Sequence, residues 1–182
     1  VFQSGTDNTS TVLQRRQANS LIIDQSGSSN SSDATQNKQN NTGSVTQSGV
    51  SNVSTFFQSQ DSEGTVTQSG DVNQGGSGNN ADVTQSGGST YADSNVQQTG
   101  TNGKATVTQG GDSNESDIFQ SGNAQTASLI QSGFNNGSLI TQEDGAGSGG
   151  NTASVDQSGD NNLSDIFQSG TDNKANVTQA SN

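Results

Sequence analysis

The sequence predicts an all-β fold, a β-solenoid of stacked strand-arc-strand coils in which two parallel sheets face each other. Three observations predict it. Sixteen glutamines recur down the chain, and eleven of the fifteen intervals between them are eleven residues: Gln3, Gln14, Gln25, Gln36, Gln47, Gln58, Gln68, Gln85, Gln98, Gln109, Gln120, Gln131, Gln142, Gln157, Gln168 and Gln179. An apolar residue stands two places before each of them, Val12, Ile23, Phe56, Leu129 and Ile166 among them. Only 23% of the 182 residues are hydrophobic, and there is no proline. Units this short bury no core alone and must stack. An aperiodic chain this polar, with a net charge of −12, would read as disordered. The strict period points instead to backbone and amides satisfied between stacked strands, where a proline would remove a ladder donor.

Counting back from each glutamine gives a period-two code. Four places before lies a small residue, such as Ala81, Ala105, Ala153, Ser54 or Ser116. Six places before there is usually asparagine: Asn8, Asn19, Asn30, Asn41, Asn52, Asn79, Asn114, Asn136, Asn151, Asn162 and Asn173. Alternate residues of a strand share a face, so Asn, small, apolar and Gln all point inward.

The elements follow in order. Val1-Phe2-Gln3 closes a first strand, and Asn8 to Gln14, Asn19 to Gln25, Asn30 to Gln36, Asn41 to Gln47 and Asn52 to Gln58 repeat the full code. Ser62 to Gln68 carries serine in the Asn place, Asn79 to Gln85 restores it, and Ala92 to Gln98 and Gly103 to Gln109 lose it again. Asn114 to Gln120 is regular, Gln125 opens the strand to Gln131, and four regular strands end at Gln142, Gln157, Gln168 and Gln179. Between strands, Ser-Gly after the glutamine and two variable residues make an arc, with Gly supplying the positive φ of a tight reversal. Gly is replaced there by Arg16, Lys38, Gln60 and Asp144. The long intervals place arc insertions near 71–78 and 143–150, where loops tolerate them.

Two strands and their arcs make a coil of about 22 residues, giving about eight coils in a single domain over residues 1–182 and a stack roughly 38 Å long. Each glutamine is expected to face the asparagine of the opposite strand, and each apolar residue a small one, which fills a thin core. Two apolar side chains per coil are too few to hold it, so Gln and Asn amides are expected to bond to their counterparts one coil above and below.

Composition narrows the function. Without His or Cys, zinc sites and Ser/His or Cys/His catalysis are excluded. The acids scatter over outward and arc positions, so no enzyme, no metal and no cofactor is expected, and calcium at Glu143 and Asp144 lacks a ligand motif. Five scattered cations make no stripe for nucleic acid, and no stretch approaches a membrane span. A soluble solenoid that binds ice or serves as a surface adhesin is the alternative, but Phe57, Phe119, Asp156 and Phe167 break any outward threonine array. Neither end shows a capping element, so the expected partner is another copy of the chain, joined head to tail.

The run Gln168-Ser169-Gly170-Thr171-Asp172-Asn173-Lys174-Ala175-Asn176-Val177-Thr178-Gln179 resembles the repeat of the curlin family, whose major subunit forms the curli fibre, a bacterial functional amyloid. The resemblance spans essentially the whole chain. It implies a cross-β fibre subunit, export through an outer-membrane machinery, a nucleator subunit as partner (or that role for this chain), and an extracellular, cell-surface fibre serving biofilm and adhesion. It also implies that the glutamines and asparagines named above promote stacking, and that a signal and export segment precedes the repeats.

Overall fold

In the computed structural model the described residues are 1–60, 68–87, 91–144 and 149–181. They form strands and arcs with no helix, hence none long and apolar enough to cross a membrane. In chain order the strands are β1 (Phe2–Gln3), β2 (Thr9–Gln14), β3 (Ser20–Gln25), β4 (Ser31–Asn37), β5 (Asn41–Gln47), β6 (Val53–Gln60), β7 (Gln68–Gln74) and β8 (Asn80–Gly87). They continue as β9 (Ala92–Thr101), β10 (Lys104–Gln109), β11 (Glu115–Asn123), β12 (Thr126–Gln131), β13 (Gly137–Asp144), β14 (Thr152–Ser158), β15 (Leu163–Gly170) and β16 (Lys174–Ala180).

Odd-numbered strands make one parallel sheet and even-numbered strands the other, each of eight strands in sequence order. This is the predicted β-solenoid. An arc carries the chain from one sheet to the other after every strand, so neighbours within a sheet are always two strands apart in sequence. The code keeps them in step: Ala105 pairs with Ala81 and Ala127, Val107 with Val83 and Leu129, and Gln109 with Gln85 and Gln131.

The core is one continuous column between the sheets, from Ile23 to Ile166, with large residues set against small ones. Phe56 shows why. A Cβ placed on Gly43 would lie 2.5 Å from its Cε1, and one on Gly70 would lie 2.6 Å from its Cε2. The two glycines of the odd sheet therefore make room for the one phenylalanine of the even-sheet core.

Each fully described arc turns through two left-handed residues. The second is a non-glycine in most arcs, for example Asp7, Ser29 and Asn135, at φ 57°, 58° and 58°. The first is glycine for a stronger reason. A Cβ on Gly27 would fall 2.1 Å from the carbonyl oxygen of Gly49, and one on Gly49 would fall 1.9 Å from that of Gly76, so main chain stacks directly on main chain. Arg16 and Lys38 occupy that place at φ 73°. Glycine arcs bridge from coil to coil, as Thr6 to Ser28 and Ser28 to Val50 do, whereas Gln17 and Gln39 form no such bridge.

The seventh strand corrects the sequence reading. Gln68 begins β7 instead of ending a strand, paired with Asn41 and Ala92, and Gln74 ends it, paired with Gln47 and Gln98. Residues 71–74 are thus strand, not arc insertion. The reason is the arc: Gly75 to Gly78 then has the ordinary length before Asn79, and Gly76, at φ 87°, takes its place between Gly49 and Gly100 in the stacked column. A strand ended at Gln68 would leave that column broken. Ser62 and Val66, placed on that strand by sequence, lie outside the described residues, as do residues 145–148 of the second expected insertion.

Candidate functional site

Strand alternation places one glutamine of every strand inward at the same edge of the core, so neighbouring coils bring like amides together. On the odd sheet the Nε2 of Gln3 donates to Oε1 of Gln25, Gln25 to Gln47, and Gln47 to Gln74, at 2.6, 2.7 and 2.8 Å. The series continues through Gln98, Gln120 and Gln142 to Gln168 at 2.8–2.9 Å. The even sheet repeats it from Gln14 through Gln36, Gln58, Gln85, Gln109, Gln131 and Gln157 to Gln179, at 2.7–3.0 Å. Every one of these bonds runs from the coil nearer the N-terminus to the next one on.

The second amide hydrogen is used as well. Gln25 donates to the main-chain carbonyl of Thr9, Gln58 to that of Thr42, Gln120 to that of Lys104 and Gln168 to that of Thr152, all at 3.0–3.1 Å and all on the opposite sheet. These amides therefore join their own sheet along the axis and tie the two sheets across it. With Gln25 through Gln157 at most 3% exposed, water cannot substitute, and an interior amide left unpaired would cost about 1–3 kcal/mol.

The asparagines stack differently from the expected amide-to-amide ladder. Among the described residues, inward Asn side chains donate to inward Asn side chains from Asn41 to Asn19 and from Asn136 to Asn114, and on the arcs Asn135 donates to Asn161. Instead the Oδ1 of Asn8, Asn30 and Asn52 accepts the main-chain N–H of Asn30, Asn52 and Asn79, at 3.0, 3.0 and 3.1 Å. Their Nδ2 donates to the carbonyl four residues back, closing the arc, as Asn30 does to Ser26 and Asn162 to Ser158. Asn19 and Asn173 make the same bond, to Arg15 and Ser169, whereas Asn151 donates to the carbonyls of Glu143 and Gly170. One methylene shorter than glutamine, asparagine reaches its own arc.

The irregular coils keep this bonding by other means. Gly103 offers its N–H to Oδ1 of Asn79 but has no amide to pass on. Gln125 accepts from the N–H of Asn151 as an asparagine would, at 2.9 Å. Its longer arm donates to the carboxylate of Asp144, which also takes the N–H of Asn123. Asp144 stands where other arcs carry glycine, so the two departures compensate each other across one coil step. Sequence reasoning missed this pair, although both residues break the pattern one coil apart.

The outer faces carry the charge. Asp71 and Asp117 are held above the ordinary carboxylate value, chiefly by partial burial; Asp93 adds repulsion to the first, and Glu115 and Asp93 to the second, opposed there by a hydrogen bond with Asn95. No group of three or more carboxylates among the described residues is arranged to hold a metal ion.

Residues 111–143 and 150–180 each match the family described as Curlin associated repeat. No curated protein and no solved structure matches the chain. The matched segments take in β11 to β16 apart from residues 144–149, and the strands before them pair in the same register and carry the same inward code. Residues 111–143 and 150–180 are thus similar to curlin associated repeats, and the strands before them continue the same stack.

Proposed function

We propose that this chain is the structural subunit of an extracellular, curli-like amyloid fibre that supports biofilm matrix and adhesion, growing by addition of copies head to tail. The observation that carries this reading is the chemistry left over at the two edges. In this chain the Oε1 atoms of Gln3 and Gln14 accept no bond from a described residue, while Gln168 and Gln179 each use one amide hydrogen on a main-chain carbonyl and keep one for a further coil. One edge offers acceptors and the other donors, in columns already in register. A contact of this kind does not close and makes a filament from a single chain. The tracts of main chain on β1, β2, β15 and β16 that face no neighbour add the rest of the template. A nucleator subunit and an outer-membrane export machinery are the further partners this reading brings.

Purified chain should assemble after a lag that preformed fibres abolish, giving fibres whose diffraction shows a meridional spacing of about 4.8 Å. A chain that stays monomeric and β-rich for weeks at tens of micromolar would keep the fold and lose the function.

A further inference from the structure

The two outer faces of the solenoid are chemically unlike. On the odd sheet the outward strand positions carry Asp24, Asp71, Asp93, Glu115, Asp117 and Asp165, with Glu143 beside them and no cation. Four of these, Asp71, Asp93, Glu115 and Asp117, crowd onto the adjacent strands β7, β9 and β11. The mutual repulsion there contributes to the raised values of Asp71 and Asp117. On the even sheet the outward positions hold Asp33, Asp82 and Asp156 against Lys104 and Lys174. The rest of that face is mostly short hydroxyl side chains, including Thr11, Thr55, Thr84, Thr106, Thr108 and Ser128, with Leu13, Val53 and Ile130 exposed among them.

Resting on the fibre reading above, we infer that two filaments of this chain pair laterally through the even-sheet face, leaving the acidic odd-sheet face in water. The occupant is a second copy because the face suits its own kind. Charges of both signs lie on it, so two such faces can meet with opposite charges near one another. Threonine and serine let sheets approach to the roughly 10 Å of packed β-layers and interdigitate. Two odd-sheet faces brought to that distance would set seven carboxylates against seven with no counter-charge. Partial burial has already made part of that face reluctant to ionise, and a second layer would deepen the cost.

The test compares fibres of the full chain with two double variants of equal charge: Thr106→Glu with Ser128→Glu on the even face, and Ser44→Glu with Thr141→Glu on the odd face. Mass per unit length by scanning transmission electron microscopy reads the pairing, and seeded growth rate reads fibre formation separately. Wild-type and odd-face fibres should show twice the mass per length of a single stack, and even-face fibres half of that value, with growth retained in all three. Should the even-face variant fail to grow, Lys104→Glu with Lys174→Glu replaces it, and this variant should also give single stacks. Single stacks in the wild type, paired stacks in the even-face variant or its replacement, or pairing that appears only with calcium and is lost on odd-face substitution would each overturn the inference. Absence of fibres from wild-type chain would instead remove the functional reading itself.

Discussion

Gln47 donates to Gln74 across 2.8 Å although 27 residues separate them, where the preceding bond of the same column, Gln25 to Gln47, spans 22. The extra residues lie before β7, not after it, and the choice of Gln74 over Gln68 sets the register of everything on that coil. Gln74→Ala should therefore lower the unfolding free energy by about 3 kcal/mol, since Gln47, Gln98 and the carbonyl of Val53 all lose their partner. Chemical denaturation of the variant decides, and a loss well under about 1 kcal/mol would move the strand back.

How the register was misread explains what a repeat sequence conveys. Gln68 follows Val66 and Gly64, while Gln74 follows Val72 and Gly70, so both glutamines satisfy the inward code six residues apart. Only the stacked glycine column, a contact between coils, separates them. The two-sheet solenoid and its inward and outward faces were legible because alternation repeats sixteen times. The bonding of the asparagines was not, since reach along the arc depends on coordinates. Nor was the Asp144 and Gln125 pair, which lies 19 residues apart and meets only across a coil step.

Gln120 accepts from Gln98 and donates to Gln142 and to the carbonyl of Lys104. Gln120→Ala should slow seeded elongation several-fold by weakening the coils on either side. Asp117→Ala removes an outward carboxylate from a sheet face that carries no cation and should leave the rate unchanged or raise it. Equal slowing by both would mean that the inward and outward faces are wrongly assigned.

Gly27→Ala places a Cβ 2.1 Å from the carbonyl oxygen of Gly49 at a φ of +94°. The backbone strain alone is of the order of 1–3 kcal/mol, and the coils must also part. Gly137→Ala meets only the Cδ1 of Leu163 at 3.1 Å, without a positive φ. Thermal unfolding should show a large loss for the first variant and a small change for the second.

Asp71 and Asp117 hold their protons more tightly in the fold than at the ordinary value of 3.8. A raised carboxyl contributes stability that is fully present below 3.8 and is lost as pH climbs from there through the raised value. Stability should thus fall as pH rises from 3.8. Asp71→Asn with Asp117→Asn should flatten that slope, as read by denaturant midpoints across the window. An unchanged slope would place its origin in other groups.

If copies add head to tail as proposed, β1 of one copy stacks on β15 of the one before, and outward Phe2 and Phe167, each 65% exposed, become neighbours. Fibres of Phe2→Cys with Phe167→Cys should yield intermolecular disulfide ladders on oxidation. Phe2→Cys with Asp82→Cys, whose residues lie on opposite sheets, should not. Equal crosslinking in both, or none in either, would exclude this junction.

The glutamine columns point one way throughout, and a filament inherits that vector. Carbonyl oxygens lead toward one tip and N–H groups toward the other, so the dipoles of successive amides add along the axis. Two tips of the same kind would confront lone pair with lone pair, or hydrogen with hydrogen. Such a fibre is an electrically oriented rod whose heads repel heads, and its two tips must elongate at different rates even when the same subunit feeds both.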